Sequence, residues 1–165
     1  MAIDTNPFVV LSYVSGPALL TNATSLILLS TTNRFARAID RSRALTDRIN
    51  AGVVGPMQAV EADELRIVGR RIRMIGLAIA SFYLAAAMFA LATVTSILGA
   101  VLAEAVGGAA LDVIVVFAVA LGGVGFAAFV TGAFALVLET RLTMGSLALE
   151  SAAAIAAMDK ALNVP

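Results

Sequence analysis

Three long runs without a charged residue constrain this chain more than any other feature: Thr5 to Asn33, Met74 to Ala103 and Val113 to Leu138. A helix crossing the ~30 Å hydrocarbon layer needs about 20 largely apolar residues, and each run exceeds that. The alternative is a water-soluble bundle with three core helices. That would need far more polar surface than a 165-residue chain with 61% hydrophobic and 13% charged residues can supply. The expectation is an all-α integral membrane protein, one membrane domain over residues 1–165, with three spans at about 8–33, 74–102 and 111–138.

Charge orients the spans. Nine of the eleven basic residues are arginines between Arg34 and Arg73, and the other two are Arg141 and Lys160. The stretch from Glu104 to Asp112 has no Lys or Arg. Short loops rich in Lys and Arg stay cytoplasmic. This places the N-terminus outside, residues 34–73 inside, the second loop outside and the tail 139–165 inside, in a bacterial inner membrane. "MAIDTNPF" lacks the basic stretch, short apolar core and cleavage site of a signal peptide, so the first run is expected to be retained. Zero cysteines exclude disulfides, thiolate metal ligands and lipidated cysteines.

The helices are expected to outrun the membrane. Asn6 can cap and Pro7 suits a first helical position, while Pro17 has no N–H for the carbonyl of Tyr13 and predicts a kink. Phe35, Ile39, Ser42, Leu45 and Ile49 recur at helical spacing up to a break at Asn50 to Pro56. A second helix is expected from about Met57, with Glu61, Asp63 and Glu64 ahead of Arg66, Arg70, Arg71 and Arg73 at favourable spacings. Residues 34–73 thus read as a cytoplasmic helical hairpin extending spans one and two. "LETRLTMGSLALESAAAIAAMDKAL" reads as a C-terminal cytoplasmic helix with Ile155, Met158 and Leu162 on one side.

On a helical wheel Ser15, Thr21, Asn22, Ser25, Thr32 and Asn33 share one side of the first run. An unpaired amide or hydroxyl facing lipid is costly, so this side is expected to avoid it. Two readings stand: interhelical glue, or the lining of a water-filled path built from several copies. In the third run Ala118, Gly122, Gly125, Phe129 and Gly132 form one seam of small residues, suited to close packing against another copy or against the chain's own helices.

The arginine cluster is expected to set topology and to contact anionic lipid headgroups, worth about 1 kcal/mol per residue at the surface. Interleaved acids and the lack of a recognition module argue against nucleic acid. Glu61, Asp63 and Glu64 could hold a hard cation but read first as a solvated, salt-bridged face, so no metal is expected. With no His, Cys or Trp, and no acid within a span, neither an enzyme nor a cofactor is expected. The leading functional expectation is a homo-oligomeric channel or conduit for a small ion or solute, lined by the polar side of span one. The alternative is a non-enzymatic membrane scaffold, accessory subunit or regulator.

The stretch "NPFVVLSYVSGPALLTNATSLILLSTTNRFARAIDRSRAL", together with "LVLETRLTMGSLALE", resembles a family of bacterial membrane proteins known as domain of unknown function 2721. The resemblance supports the architecture and localisation and implies no activity. Its family-like positions are Pro17, Asn33, Arg34, Arg37, Asp40, Arg41 and Arg43, with Glu139 and Arg141. Among these, Asp40 and Glu139 are acids at the inner interface with Arg37, Arg41 and Arg141 within reach. Such a charge network is expected to lock span three to span one.

Overall fold

A computed structural model describes the backbone of residues 7–51, 57–103 and 107–162, and the side chains of 15–51, 63–103 and 107–145. Within these bounds the chain is three α-helices: α1, Pro7–Asn50 (44 residues); α2, Met57–Leu102 (46 residues); and α3, Gly108–Leu162 (55 residues). Pro7 opens α1, where a missing N–H costs nothing. The helix continues through Pro17, whose carbonyl accepts the Thr21 hydroxyl at 3.0 Å. At the other end the Ala51 N–H donates to the Asp47 carbonyl at 2.9 Å. The Gly107 carbonyl starts α3 by accepting from the N–H groups of Ala110 and Leu111. Asn6, the 52–56 break and the side chains of Glu61, Ile155, Met158 and Leu162 lie outside the described residues.

Two expectations are corrected here. First, two helical segments, not three, are long and apolar enough to cross a membrane among the described residues: Asp63–Leu102 in α2 and Gly108–Gly145 in α3. The described part of α1 falls short because Ser15 to Asn33 contains seven hydroxyl residues, Asn22, Asn33 and the Gly16-Pro17 pair. Second, no separate tail helix follows the last span. The backbone runs unbroken through Gly145 to Leu162, because this stretch carries no proline and is rich in alanine and leucine.

Low burial sets α2 and α3, the candidate membrane helices, apart from the core helices of a soluble fold. Only 33% of the apolar window of α2 and 11% of that of α3 is buried. Val113, Val116, Phe117, Val119, Phe126 and Phe134 are each more than half exposed. In water that would be a large apolar patch; in a bilayer it is lipid-facing surface.

The chain divides into two compact units, one of residues 1–33 with 77–133 and one of residues 34–76 with 134–165. The first is packed around Phe82 and Phe89, both fully buried, with Ala85, Ala128 and Phe129. The rings of Phe82 and Phe129 stand 5.6 Å apart at 59°. Gly125 and Gly132 make room for this aromatic core. A Cβ on Gly125 would lie 2.9 Å from the Phe89 ring, and one on Gly132 would lie 2.8 Å from Phe82. In lipid, helix association draws on this kind of close packing, since tails are as apolar as side chains. Hydroxyls in this unit are satisfied locally: Thr93, Thr95, Ser96 and Thr131 each donate to the carbonyl four residues back.

The second unit has Ala38 and Leu45 from α1, Val68 and Ile75 from α2, and Ala135 and Glu139 from α3 as its buried positions. Burial recurs every seven residues along α1 and alternates by three and four along α2 and α3. Residues 24, 31, 38 and 45 are buried in α1, 75, 78, 82, 85, 89 and 92 in α2, and 125, 128, 132, 135 and 139 in α3. That 3.5-residue period is the seam of helices packed at small angles, side chains of one fitting between those of the next. In the second unit the seam position of α3 is held by a carboxylate, Glu139.

Candidate functional site

Glu139 is only 3% exposed, so its charge must be met by protein. Arg71 Nε donates to its Oε1 at 2.9 Å, and the Thr143 hydroxyl lies 3.2 Å from the same oxygen. Arg34 Nη1 stands 4.0 Å from Oε2, at the limit of an ion pair. These contacts join all three helices. Arg34 comes from α1, Arg71 from α2, and Glu139 and Thr143, one turn apart, from α3.

Beside this cluster, Arg41 Nε donates to Glu64 Oε1 at 3.0 Å, and Arg41 Nη2 bonds the same oxygen. The two pairs bound a cleft of about 490 Å³ lined by Arg34, Arg37, Arg41, Arg71, Glu139 and Thr143, with Ala38, Val68 and Thr140 completing the wall. All of these lie within the second unit. Four guanidinium groups and one carboxylate line the cleft.

The inner-interface residues singled out in the sequence divide between this cleft and the surface. Arg34, Arg37, Arg41 and Glu139 line it, whereas Asp40, Arg43 and Arg141 are exposed away from its lining. Sequence reasoning missed the partner that binds Glu139 most closely, Arg71, and the partner of Arg41, Glu64. Both sit on α2, far away in sequence. A signal was present: Arg71 is one heptad before Ala78, and Glu139 one heptad after Gly132, so both fall on their helices' buried seams.

The polar side of α1 turns outward on a single chain. Asn22, Ser25, Thr32 and Asn33 are exposed, and Ser15 and Thr21 half-buried. Ser25 and Thr32 donate to the carbonyls of Thr21 and Leu28, so these hydroxyls have partners within their own helix. The buried α1 hydroxyls are Thr24 and Thr31, which donate to Leu20 and Ile27. In the α3 seam, Gly125 and Gly132 pack against α2 of the same chain, Ala118 and Gly122 are half-buried, and a Cβ on Gly122 would meet nothing within 4 Å. Among the described residues no group of three or more His, Cys, Asp or Glu is placed to hold a metal ion.

No curated protein and no solved structure matches this chain. One family does: that described as Protein of unknown function (DUF2721), over residues 14–149. With most of its length matched, and two apolar helices consistent with a membrane-associated bacterial protein, the chain belongs to the DUF2721 family.

Proposed function

We propose that this protein is a non-enzymatic membrane scaffold or regulator. Two spans hold an arginine-rich helical unit at the cytoplasmic face, where it meets anionic headgroups. One observation carries the reading. All eleven basic residues fall within the sequence ranges of the second unit, and the ranges of the first contain none. Under the positive-inside rule the arginine-bearing ends of both spans are cytoplasmic and residues 103–107 are on the opposite side. The second unit joins three helices through buried charge, and such a unit can hold a partner or respond to one.

A homo-oligomeric conduit for a small ion or solute is the second reading, favoured by the exposure of Asn22, Ser25 and Thr32 on one side of α1. Flux through vesicles containing the full chain separates the two. The scaffold reading expects no flux of small monovalent ions above that of protein-free vesicles, and no change with Asn22→Leu. Flux that Asn22→Leu abolishes, while the native mass in detergent persists, would overturn the scaffold reading in favour of the conduit.

A further inference from the structure

We infer that two copies of this chain dock through the outward face of α1, side by side and in the same direction, with Asn22 of one copy bonded to Asn22 of the other. The inference deepens the scaffold reading by naming a partner. It rests on that reading for holding both copies in one membrane with the same orientation.

The argument begins with periodicity. Thr24, Thr31, Ala38 and Leu45 are the positions that α1 buries against its own chain. Asn22, Leu29, Ala36 and Arg43 each precede one of them by two residues. They therefore stand about 200° round the helix, on the opposite side. With Leu19, Leu26, Asn33, Asp40 and Asp47 they keep a spacing of three and four from end to end, and every one of them is exposed. So α1 carries two seams of one period, the first filled by its own chain and the second open.

Next comes solvent. The open seam suits neither water nor lipid. Leu19, Leu26 and Leu29 are 64–67% exposed, which favours removal from water. Among them stands Asn22, whose amide has no bonding partner among the described residues and is costly to leave in lipid. A protein surface meets both demands, because leucine can pack on leucine while the amide gains a partner.

Self-complementarity identifies that surface as a second copy. An asparagine amide both donates and accepts, so Asn22 can bond its own counterpart across a two-fold axis. An asparagine at one seam position also fixes the register of paired helices. Charge further along agrees. Arg43 lies three residues after Asp40 and four before Asp47. Among the described residues none of these three side chains has an ion-pair partner within its own chain. In a parallel pair Arg43 of each copy falls within a turn of both acids of the other, so the alternating signs complement each other.

The test uses the full chain in vesicles of phosphatidylcholine and phosphatidylglycerol. The chain has no cysteine, so single cysteines report the face directly. Under mild oxidation Leu29→Cys should form a disulfide-linked dimer. Ser30→Cys and Ala23→Cys are equally exposed positions about 100° away from the seam, and should form it at least about fivefold less. Asn22→Leu should raise the dissociation constant, read by dilution into excess lipid, about three- to tenfold, as interhelical hydrogen bonds in bilayers do. Arg43→Asp should weaken pairing as well. Asp40→Arg with Arg43→Asp and Asp47→Arg reverses all three signs and should restore it. These side chains are exposed on a single chain, so loss of pairing is separable from loss of the fold.

Absence of a dimer at every dilution leaves the face to lipid and overturns the proposal. So does equal cross-linking at positions 23, 29 and 30, which marks random collision, and so does pairing that Asn22→Leu leaves unchanged. Vesicle flux judges the scaffold reading separately. A chain that cross-links at position 29 and conducts ions would overturn that reading and keep the docking face.

Discussion

The two units solve one packing problem with opposite chemistry. In each, burial follows the same 3.5-residue seam. In the first, α2 presents Phe82 and Phe89 and α3 answers with glycine, so the fit is steric and nearly free of charge. In the second, the seam position of α3 is Glu139, met by Arg71. The contrast teaches where specificity comes from in each unit. Two apolar helices in lipid have no hydrophobic drive to associate, and shape selects their partner and register. Where water competes, a buried carboxylate excludes any register that leaves it without an arginine.

Substitutions that strike one unit's chemistry and leave the other's alone sharpen this contrast. The largest effect is expected for Arg71→Ala, which leaves Glu139 buried without its closest partner. The cost should be about 3–5 kcal/mol, near the lower end because the Arg71 side chain is 30% exposed. Reversible unfolding in mild detergent reads it. Arg71→Ala costing no more than an exposed arginine would remove the charged seam from the account.

Next come the glycines. Gly132→Leu should cost about 3 kcal/mol, because any side chain collides with a fully buried ring. Gly132→Ala balances a helix-propensity gain of about 1 kcal/mol against overpacking of about 1–3 kcal/mol, and the clash should win. Gly122→Ala, which meets nothing within 4 Å, should be neutral or slightly stabilising by the same measurement. Equal effects at Gly122 and Gly132 would show that the Phe82 contact does not matter. Gly122→Leu lowering the oligomer mass without destabilising the chain would place a contact between copies at the open end of the seam.

The smallest effect belongs to Arg41→Gln. Its pair with Glu64 is half exposed and should be worth ~0.2–1 kcal/mol, shrinking in high salt. A cost approaching that of Arg71→Ala would make the two ion pairs equivalent and blur the distinction between buried seam and rim.

Much of the architecture is legible in the residues. Pro7 and Met57 mark helix starts because proline suits a first turn and "NAGVVGP" interrupts the pattern before Met57. The span count was not legible from lack of charge alone. Asn22 and the hydroxyls of α1 carry no charge, yet they lower its apolar content as surely as charges would. The α1 hydroxyls buried within one chain, Thr24 and Thr31, were not singled out for a related reason. Thr24 and Thr31 are less conspicuously polar than Asn22, Ser25 and Thr32, but a threonine bonded to its own helix presents a methyl to its neighbour and packs like valine. Glu139 and the α1 arginines were visible through the family resemblance. Arg71 and Glu64 were not, because contacts between helices are set by register, which no single helix records.

The central claim is that α2 and α3 cross the membrane with every basic residue on the cytoplasmic side. The chain has no cysteine, so single cysteines at Ala51 and Gly108, both exposed and at opposite ends of α2, can be labelled in intact cells with a membrane-impermeant thiol reagent. The account predicts labelling at position 108 from outside, and labelling at position 51 only after the membrane is permeabilised. Labelling of position 51 in intact cells, or of both positions alike, would contradict it.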